Sequence, residues 1–213
     1  MENKYYNKVI IIDDSLGAED LKKNISQTYR IENGQIKEDV FLPNNKDSHA
    51  DICAKIIKRH VPEVQIINII VKNNWQNGCV EDFLKGLEFC QLLDADLINI
   101  SVGTTEKKNI LQMRRVVRLL TDNKVIVAAK SNDMKKTYPS SFKNVIECSL
   151  DQKIRFPFHF SIDRDKLIKN DSIIRSNEGK LCLLTPCNSY LAASVSGLIL
   201  EKMNEESLNQ QLR

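Results

Sequence analysis

Four side chains of the kinds used in acid–base and nucleophilic chemistry stand at the ends of predicted strands and helices. Asp13 and Asn132 each follow an apolar run, whereas His49 and Ser189 each open a helical pattern. A serine hydroxyl is a poor nucleophile at neutral pH unless a base such as histidine lies within hydrogen-bonding reach. Taken singly, each residue also has a structural explanation, because Asp and Ser are common in turns and as helix caps. Whether they do chemistry depends on whether the fold brings them together.

The apolar pattern alternates between strands and helices along most of the chain. The continuous apolar run at 9–12 is typical of a buried parallel strand. Further strands are predicted over 64–71, 95–102, 124–129, 145–149 and 181–184, and helices over 48–60, 80–93, 110–121 and 189–203. Between them, 16–46 predicts turns with a short strand near 39–42, 151–180 gives no clear pattern, and the polar tail from about 204 is expected to fray.

This alternation predicts the fold class and the location of a site. Strands that alternate with helices form a three-layer αβα architecture with a mostly parallel sheet, and 213 residues suit one such domain over 1–213. Sites in these sheets lie at the carboxyl ends of the strands. Asp13, Asn132 and the segment Ser101, Val102 and Gly103 all fall at or just beyond such ends.

Composition and charge exclude several classes of function. The net charge of +3 argues neither for nor against a nucleic-acid partner, but the basic residues are scattered rather than gathered in one block, so no such partner is expected. Arg114, Arg115 and Arg118 form a basic helix face, a feature that is most often simply solvated. The apolar runs are far too short to cross a membrane, and the polar N-terminus is unlike a signal peptide, so the expected location is the cytoplasm.

The cysteines and the glycines give no sign of a metal or a cofactor. None of the six cysteines forms a CxxC pair, so in a cytoplasmic protein all six are expected to be reduced core thiols: Cys53, Cys79, Cys90, Cys148, Cys182 and Cys187. No acidic run has calcium-ligand spacing, and no metal is expected. A glycine-rich phosphate-binding motif does not follow the first strand, which argues against a nucleotide-binding protein.

The segment at 95–103 carries the most specific resemblance to a known family. Its sequence, Ala-Asp-Leu-Ile-Asn-Ile-Ser-Val-Gly, is close to the Ala-Asp-Val-Ile-Asn-Met-Ser-Leu-Gly of the subtilisin-like (S8) serine peptidases. Segments of the same family are similar to five further stretches in the same order: 9–13, 49–57, 127–132, 138–146 and 187–197. The resemblance therefore extends from residue 9 to about residue 200.

The resemblance implies a fold, an activity and a role for each candidate. It implies a subtilisin-like fold in which Ser189 is the nucleophile, His49 the general base and Asp13 the acid that orients His49. Asn132 would take the oxyanion position, and residues 101–103 would bind the substrate as a strand. The expected substrate is a peptide or protein, with an accessory protein as a further partner, and the oligomeric state is not predicted. Because the signal peptide, propeptide and calcium loops of secreted members are not visible, we expect a dedicated processing enzyme, for example one acting on a leader peptide.

The sequence departs from the family pattern around the expected site. Several glycines and small residues of the family are replaced here, by Ser15, Ala50, Asp51, Ser131, Cys187, Asn188 and Ala193. Glycine permits a positive φ and close backbone approach, so these replacements are expected to distort the backbone around Ser189. Asp14 also competes with Asp13 as the acid, although Asp13 directly ends the apolar run.

Two alternatives of other kinds remain open from the sequence. A non-catalytic peptide-binding protein on the same fold would keep the cleft and lose turnover, and the replaced glycines favour it. The retention of all four chemical side chains argues against it. A cysteine hydrolase would use Cys187, which stands two residues before Ser189. That thiol would need a base and a lowered pKa, and a buried structural thiol is the simpler expectation.

Overall fold

Strands and helices alternate along the chain as the apolar pattern predicts. The computed structural model describes residues 5–71, 80–133, 135–150, 185 and 187–211, and the backbone of short strands between 160 and 183. Its strands are β1 (Lys8–Asp13), β2 (Ile25–Glu32), β3 (Gln35–Glu38), β4 (Gln65–Ile70), β5 (Leu97–Ile100), β6 (Val125–Ala129), β7 (Ile146–Cys148), β8 (Phe160–Asp163), β9 (Lys166–Lys169), β10 (Ile173–Arg175) and β11 (Leu181–Leu183). Its α-helices are α1 (His49–His60), α2 (Val80–Phe89), α3 (Ile110–Leu120) and α4 (Asn188–Gln211), and short 3₁₀ helices span Glu19–Asn24 and Cys90–Leu92.

The central sheet is mostly parallel. Its strand order is β3-β2-β4-β1-β5-β6-β7-β9-β8, and β10 pairs with β11 in a separate antiparallel ribbon. The strands from β2 to β9 in this order are parallel, and only the edge strands β3 and β8 join antiparallel. Because parallel neighbours end at the same edge, the residues that follow β1, β5 and β6 meet there.

Helical layers cover both faces of the sheet. Alternate residues of a strand point to opposite faces. Thus Ile10 and Ile12 of β1 pack with α2 and α3, whereas Val9 and Ile11 pack with α1 and α4. All four side chains are fully buried. The predicted three-layer αβα architecture is confirmed.

Helix α1 starts at a capping box formed by Ser48 and Asp51. The Ser48 hydroxyl accepts the Asp51 N–H at 3.0 Å, and the Asp51 carboxylate accepts the Ser48 N–H at 2.9 Å. These bonds satisfy N–H groups that have no partner within the helix. Further along, α1 packs closely on α4, since a Cβ at Gly197 would lie 2.6 Å from the ring of His60. The N-cap therefore fixes His49 as the first residue of a firmly packed helix.

Part of 16–46, where the sequence predicts turns, forms a β-hairpin. The prediction of a short strand near 39–42 is wrong. Strands β2 and β3 are joined at Asn33 and Gly34, which have φ values of 53° and 72°. The Asn-Gly pair is a common hairpin signal. The pairing ends where the Asp39 N–H bonds to the Thr28 carbonyl at 2.8 Å. Beyond it, apolar Val40 is 70% exposed, so its apolar character does not mark a strand.

The polar tail is also helical where it was expected to fray. Helix α4 continues to Gln211, beyond the predicted end at Met203. The buried amide of Asn204 accepts the N–H of Tyr6 at 2.7 Å and donates to its carbonyl at 3.0 Å. This pair of bonds ties the last turns of α4 to the segment before β1.

Candidate functional site

Asp13 and His49 form a direct hydrogen bond at the carboxyl edge of the sheet. Asp13 ends β1 and is 2% exposed, and its Oδ2 lies 2.7 Å from Nδ1 of His49, the first residue of α1. The His49 ring also stacks on Tyr190, with the ring centroids 5.5 Å apart. These contacts fix the plane of the imidazole. With Nδ1 held by the carboxylate, Nε2 is the nitrogen that can exchange a proton with another group.

The neighbouring carboxylate of Asp14 contacts the helix backbone instead. Its Oδ1 accepts the N–H of Ala50 at 2.9 Å, in the first turn of α1. A negative charge at this end of a helix is favourable because the peptide dipoles place partial positive charge there. Burial raises the pKa of Asp14, and the charge of Asp13 raises it further. Of the two adjacent carboxylates, Asp13 is therefore the one that holds His49.

Ser189 lies in the first turn of α4, beside the end of β5. It is 8% exposed, and its hydroxyl donates to the Ser101 carbonyl at 3.4 Å. The Ser101 hydroxyl in turn lies 3.5 Å from Sγ of Cys53, one helical turn after His49 in α1. This run of contacts brings the start of α4 and the start of α1 to the same edge of the sheet. Resting Ser189 thus hydrogen-bonds to the backbone.

Asn132 is joined to the start of α4 through Asn188. Its Oδ1 accepts the N–H of Asn188 at 3.1 Å. The side chain of Asn188 is itself 3% exposed and spans several segments: its Nδ2 donates to the carbonyls of Lys130 and Ser131, and its Oδ1 accepts the N–H of Leu150 at 2.7 Å. Asn132 and Ser189 are therefore held at a fixed separation by the residue between them.

In the sequence, Asn188 stands out only as a departure from the family pattern, and this role was missed. No local signal could have shown it, because the burial of the amide and its partners depend on the tertiary fold.

The candidate cleft segment, 101–103, runs beside a second extended segment. Thr104 and Tyr138 exchange backbone hydrogen bonds of 2.9 and 2.8 Å. A Cβ at Gly103 would lie 2.6 Å from the Thr137 methyl carbon and 3.0 Å from the Tyr138 carbonyl oxygen. Only glycine fits this close approach. Val102, directly before Gly103, is 4% exposed and belongs to the core formed with α2 and α3.

Cys187 contacts the imidazole, and the prediction that it is a core thiol is wrong. It is free and half-buried, directly before α4, and lies near enough to His49 to raise the pKa of the imidazole. Burial lowers the pKa of His49, but Asp13 and the nearby Cys187 outweigh burial and raise the pKa to about 10. These neighbours favour the protonated imidazole, which must lose its proton before His49 can act as a base.

The other described cysteines fit the prediction of reduced core thiols. Cys53, Cys90 and Cys148 are free and buried, and burial raises the pKa of each thiol. Cys79 and the side chain of Cys182 lie outside the described residues.

One group of side chains at the site has metal-capable atoms. Candidate ligand atoms of Asp13, His49 and Cys53 lie within 4.8 Å of one another. Zinc takes such ligands, but it binds the thiolate and the neutral imidazole. Burial raises the pKa of Cys53 well above its ordinary value, and Asp13 raises the pKa of His49. The three side chains lie close together because Asp13 hydrogen-bonds to His49 and the buried, neutral thiol of Cys53 packs beside them.

Asp51 stands out in the sequence only as a departure from the family pattern. In the structure it anchors the loop after β1. Its side chain is fully buried, and its Oδ1 accepts the N–H groups of Gly17 and Ala18 at 2.9 and 2.8 Å. These bonds add to the capping box with Ser48. The Ser-x-x-Asp spacing was the signal for the cap, but the link to residues 17 and 18 depends on the tertiary fold.

The replaced glycines do not strain the backbone. Within the described ranges, positive φ at non-glycine residues occurs at Asn33 and Asn109, and neither is one of the residues that replace a family glycine. Ser15, Ala50, Ser131 and Cys187 are all described and have ordinary φ values. The expected distortion around Ser189 is therefore not found in the φ angles. The residues that replace glycine fit the backbone they occupy.

Solved structures of three peptide-processing enzymes are similar to this chain over almost its whole length. The nisin leader peptidase from Lactococcus lactis matches with a TM-score of 0.73 and 16% identity, covering 97% of this chain and 80% of the other. The prenylagaramide maturation protease matches with a TM-score of 0.72 and 15% identity, covering 98% and 79%. The epidermin leader peptide processing serine protease from Staphylococcus aureus matches with a TM-score of 0.70 and 15% identity, covering 97% and 68%.

These similarities establish the fold, and the predicted subtilisin-like architecture is confirmed. No protein-family model matches the sequence, and no curated protein is similar to it. Across the part of the chain that the structure describes, no helix is both long and apolar enough to cross a membrane.

Proposed function

We propose that this chain is a serine endopeptidase of the subtilisin-like (S8) kind, with Asp13, His49 and Ser189 as its catalytic triad. The observation that carries the proposal is the 2.7 Å hydrogen bond between a 2%-exposed Asp13 and His49, beside the helix start that holds Ser189. A buried carboxylate on Nδ1 is the arrangement that prepares an imidazole to take a proton through Nε2. The shared fold of leader-peptide proteases supports the same reaction class.

In the first half of the reaction, neutral His49 takes the proton of Ser189 through Nε2 while Oγ attacks the peptide carbonyl carbon. The hydroxyl must first leave the Ser101 carbonyl, to which it donates at rest. His49 then donates that proton to the leaving amine as the C–N bond breaks, and an acyl-enzyme remains on Ser189. Water repeats the sequence in reverse, so that the acid product leaves and both side chains regain their starting protons.

The negative charge of each tetrahedral intermediate needs donors that are already in place. Oδ1 of Asn132 accepts the Asn188 N–H, so the NH₂ group of the same amide is the part left to donate to the oxyanion. The Ser189 N–H is in the first turn of α4 and is the second proposed donor. The partial positive charge of the helix start adds to both. Loss of one such donor typically costs about 10²–10³-fold in turnover.

The proposed substrate is the leader segment of a precursor peptide. The peptide would bind as an added strand along 101–103, which is a mode that gives affinity through backbone hydrogen bonds. Leader-peptide processing is the activity named for the nisin and epidermin enzymes of the same fold. We place the activity in the cytoplasm, because the unpaired thiols of Cys53, Cys90 and Cys148 suit a reducing compartment. An accessory protein that helps present the substrate belongs to the same proposal.

A cysteine nucleophile is the second candidate, and one observation favours it. At rest Cys187 lies near enough to His49 to raise the pKa of the imidazole, while the Ser189 hydroxyl donates to a backbone carbonyl. A thiol paired with an imidazole is a known route to a reactive thiolate. Ser189 is preferred because it lies in the first turn of α4, directly after Asn188, which bonds to the proposed oxyanion donor Asn132.

Labelling with a fluorophosphonate probe separates these candidates. Wild type, Ser189→Ala and Cys187→Ala are each treated with the probe, and circular dichroism establishes that each is folded. Labelling of wild type and Cys187→Ala, and its loss in Ser189→Ala, is the expected result. Fluorophosphonates react with activated serines, so labelling that persists in Ser189→Ala would contradict Ser189 as the nucleophile. No labelling of any folded form would favour the cysteine candidate or a peptide-binding protein without turnover.

A further inference from the structure

A basic cavity lies between α3 and the loop that precedes β7. Its volume is about 530 Å³, within the range of ligand-binding pockets. Three cationic side chains line it, Arg114 and Arg118 from α3 and Lys143 from the loop. Its floor includes Val117 and Phe142, which are 1% and 7% exposed. An apolar floor with a cationic rim suits a ligand that carries both carboxylates and apolar groups.

Within the part of the chain that the structure describes, no acidic side chain neutralises the cations of the cavity. Among the ion pairs within the described ranges, none involves Arg114, Arg118 or Lys143, and the lining contains no acidic side chain. The guanidinium of Arg114 lies over the Phe142 ring, 5.5 Å from its centroid, which orients its N–H donors. Unpaired charges of one sign in a concave site raise the local concentration of opposite charge. The expected ligand is an anion, and planar guanidinium groups bind carboxylates in a bidentate manner.

Direct contacts connect this cavity with the candidate cleft. Gly103 closely approaches the Tyr138 backbone, and Thr104 and Tyr138 are paired. The Tyr138 ring contacts the Phe142 ring at a centroid distance of 5.2 Å, and Phe142 forms the cavity floor beneath Arg114. The segment 101–103 is therefore linked to the basic rim through the Tyr138 backbone, the Tyr138–Phe142 ring contact and the Phe142–Arg114 contact.

We propose that this cavity is an exosite that binds an acidic segment of the peptide substrate outside the scissile bond. Naming the ligand as substrate rests on the proposed function, whereas the preference for acidic peptide follows from the cavity itself. A polynucleotide is disfavoured, because the net charge is only +3 and the cations are confined to one small cavity over apolar side chains. The site adds affinity and selectivity for substrates with glutamate or aspartate beside the cleavage segment.

The test compares a short fluorescent peptide containing a run of glutamates with its glutamine counterpart, by fluorescence anisotropy. Wild type is expected to bind the glutamate peptide about tenfold more tightly at low salt, and less so at high salt. Arg118→Glu combined with Lys143→Glu should abolish this preference. Arg115→Glu is the matched control, because Arg115 is an exposed neighbour on α3 that does not line the cavity, and it should keep the preference within about twofold.

The outcomes separate this proposal from the proposed function. If fluorophosphonate labels Ser189 but wild type does not distinguish the two peptides, the exosite is refuted and the peptidase stands. If the preference for glutamate is present and is lost only in the double variant, the exosite stands even where Ser189 is not labelled. An equal loss in Arg115→Glu, or equally tight binding of a single-stranded oligonucleotide, would contradict a site selective for acidic peptide.

Discussion

Asn188→Ala is expected to destabilise the protein strongly, because the side chain holds three segments together. Its amide donates at 3.0 Å to the Lys130 carbonyl and at 3.2 Å to the Ser131 carbonyl, and accepts the Leu150 N–H at 2.7 Å. A net value of about 1 kcal/mol for each bond predicts a loss of about 3 kcal/mol in the free energy of unfolding. For a protein of this size the loss corresponds to a fall in Tm of about 6–12 °C.

The assay is urea unfolding of wild type and variants, followed by circular dichroism. Asn123→Ala is the matched control, since Asn123 is exposed and its loss should change the stability by no more than about 0.5 kcal/mol. Asn188→Asp keeps the acceptor for Leu150 but sets a carboxylate against two carbonyl oxygens, so it should be at least as unstable as Asn188→Ala. A loss below about 1 kcal/mol in Asn188→Ala would refute the assigned role.

Three further changes test the site. Asp13→Asn should lower kcat/KM by about 10⁴-fold, because the imidazole then takes the wrong tautomer. Asp14→Asn should keep kcat/KM near that of wild type, because the Asn side chain can still accept the backbone N–H of Ala50. Cys187→Ala should move the acidic limb of the pH–rate profile to lower pH, since the nearby Cys187 helps to raise the pKa of His49, and an unmoved limb would contradict that contact. Gly103→Ala would place a methyl group 3.0 Å from a facing carbonyl oxygen, and urea unfolding should record a loss of about 1–3 kcal/mol.

The parts of the fold that could be predicted from the sequence are those whose signals are local. The apolar run of β1 needs burial on both faces, and the Ser48 capping box starts α1 wherever the helix packs. The same local signals placed Asp13 at a strand end and His49 at a helix start. The structure brings these two side chains to hydrogen-bonding distance.

The hairpin at 25–38 could not be predicted because its pattern is irregular. The pairing of β2 with β4 shifts register between Ile25 and Gln27, and the buried residues of β2, Thr28 and Ile31, are three positions apart. Strand periodicity of two is therefore hidden. Asn33 and Gly34 did carry a turn signal, but the flanking segments gave no strand signal to go with it.

The details of the site that the sequence missed arise from contacts between distant segments. Asn188 bonds to residues 38 and more positions away, and Cys187 reaches an imidazole on another helix. Nothing local distinguishes these side chains from an N-terminal cap or a core thiol. The basic face of α3 was visible in the sequence, but the cavity under it depends on the loop that carries Phe142 and Lys143.

Cleavage of a defined peptide library, read by mass spectrometry of the new termini, tests the central claim most directly. The peptidase account predicts that wild type produces internal cleavage products, increasingly as the pH rises above neutral, and that Ser189→Ala produces none. Cys187→Ala should retain cleavage. Equal cleavage by wild type and Ser189→Ala, or cleavage that is lost only in Cys187→Ala, would contradict Ser189 as the nucleophile.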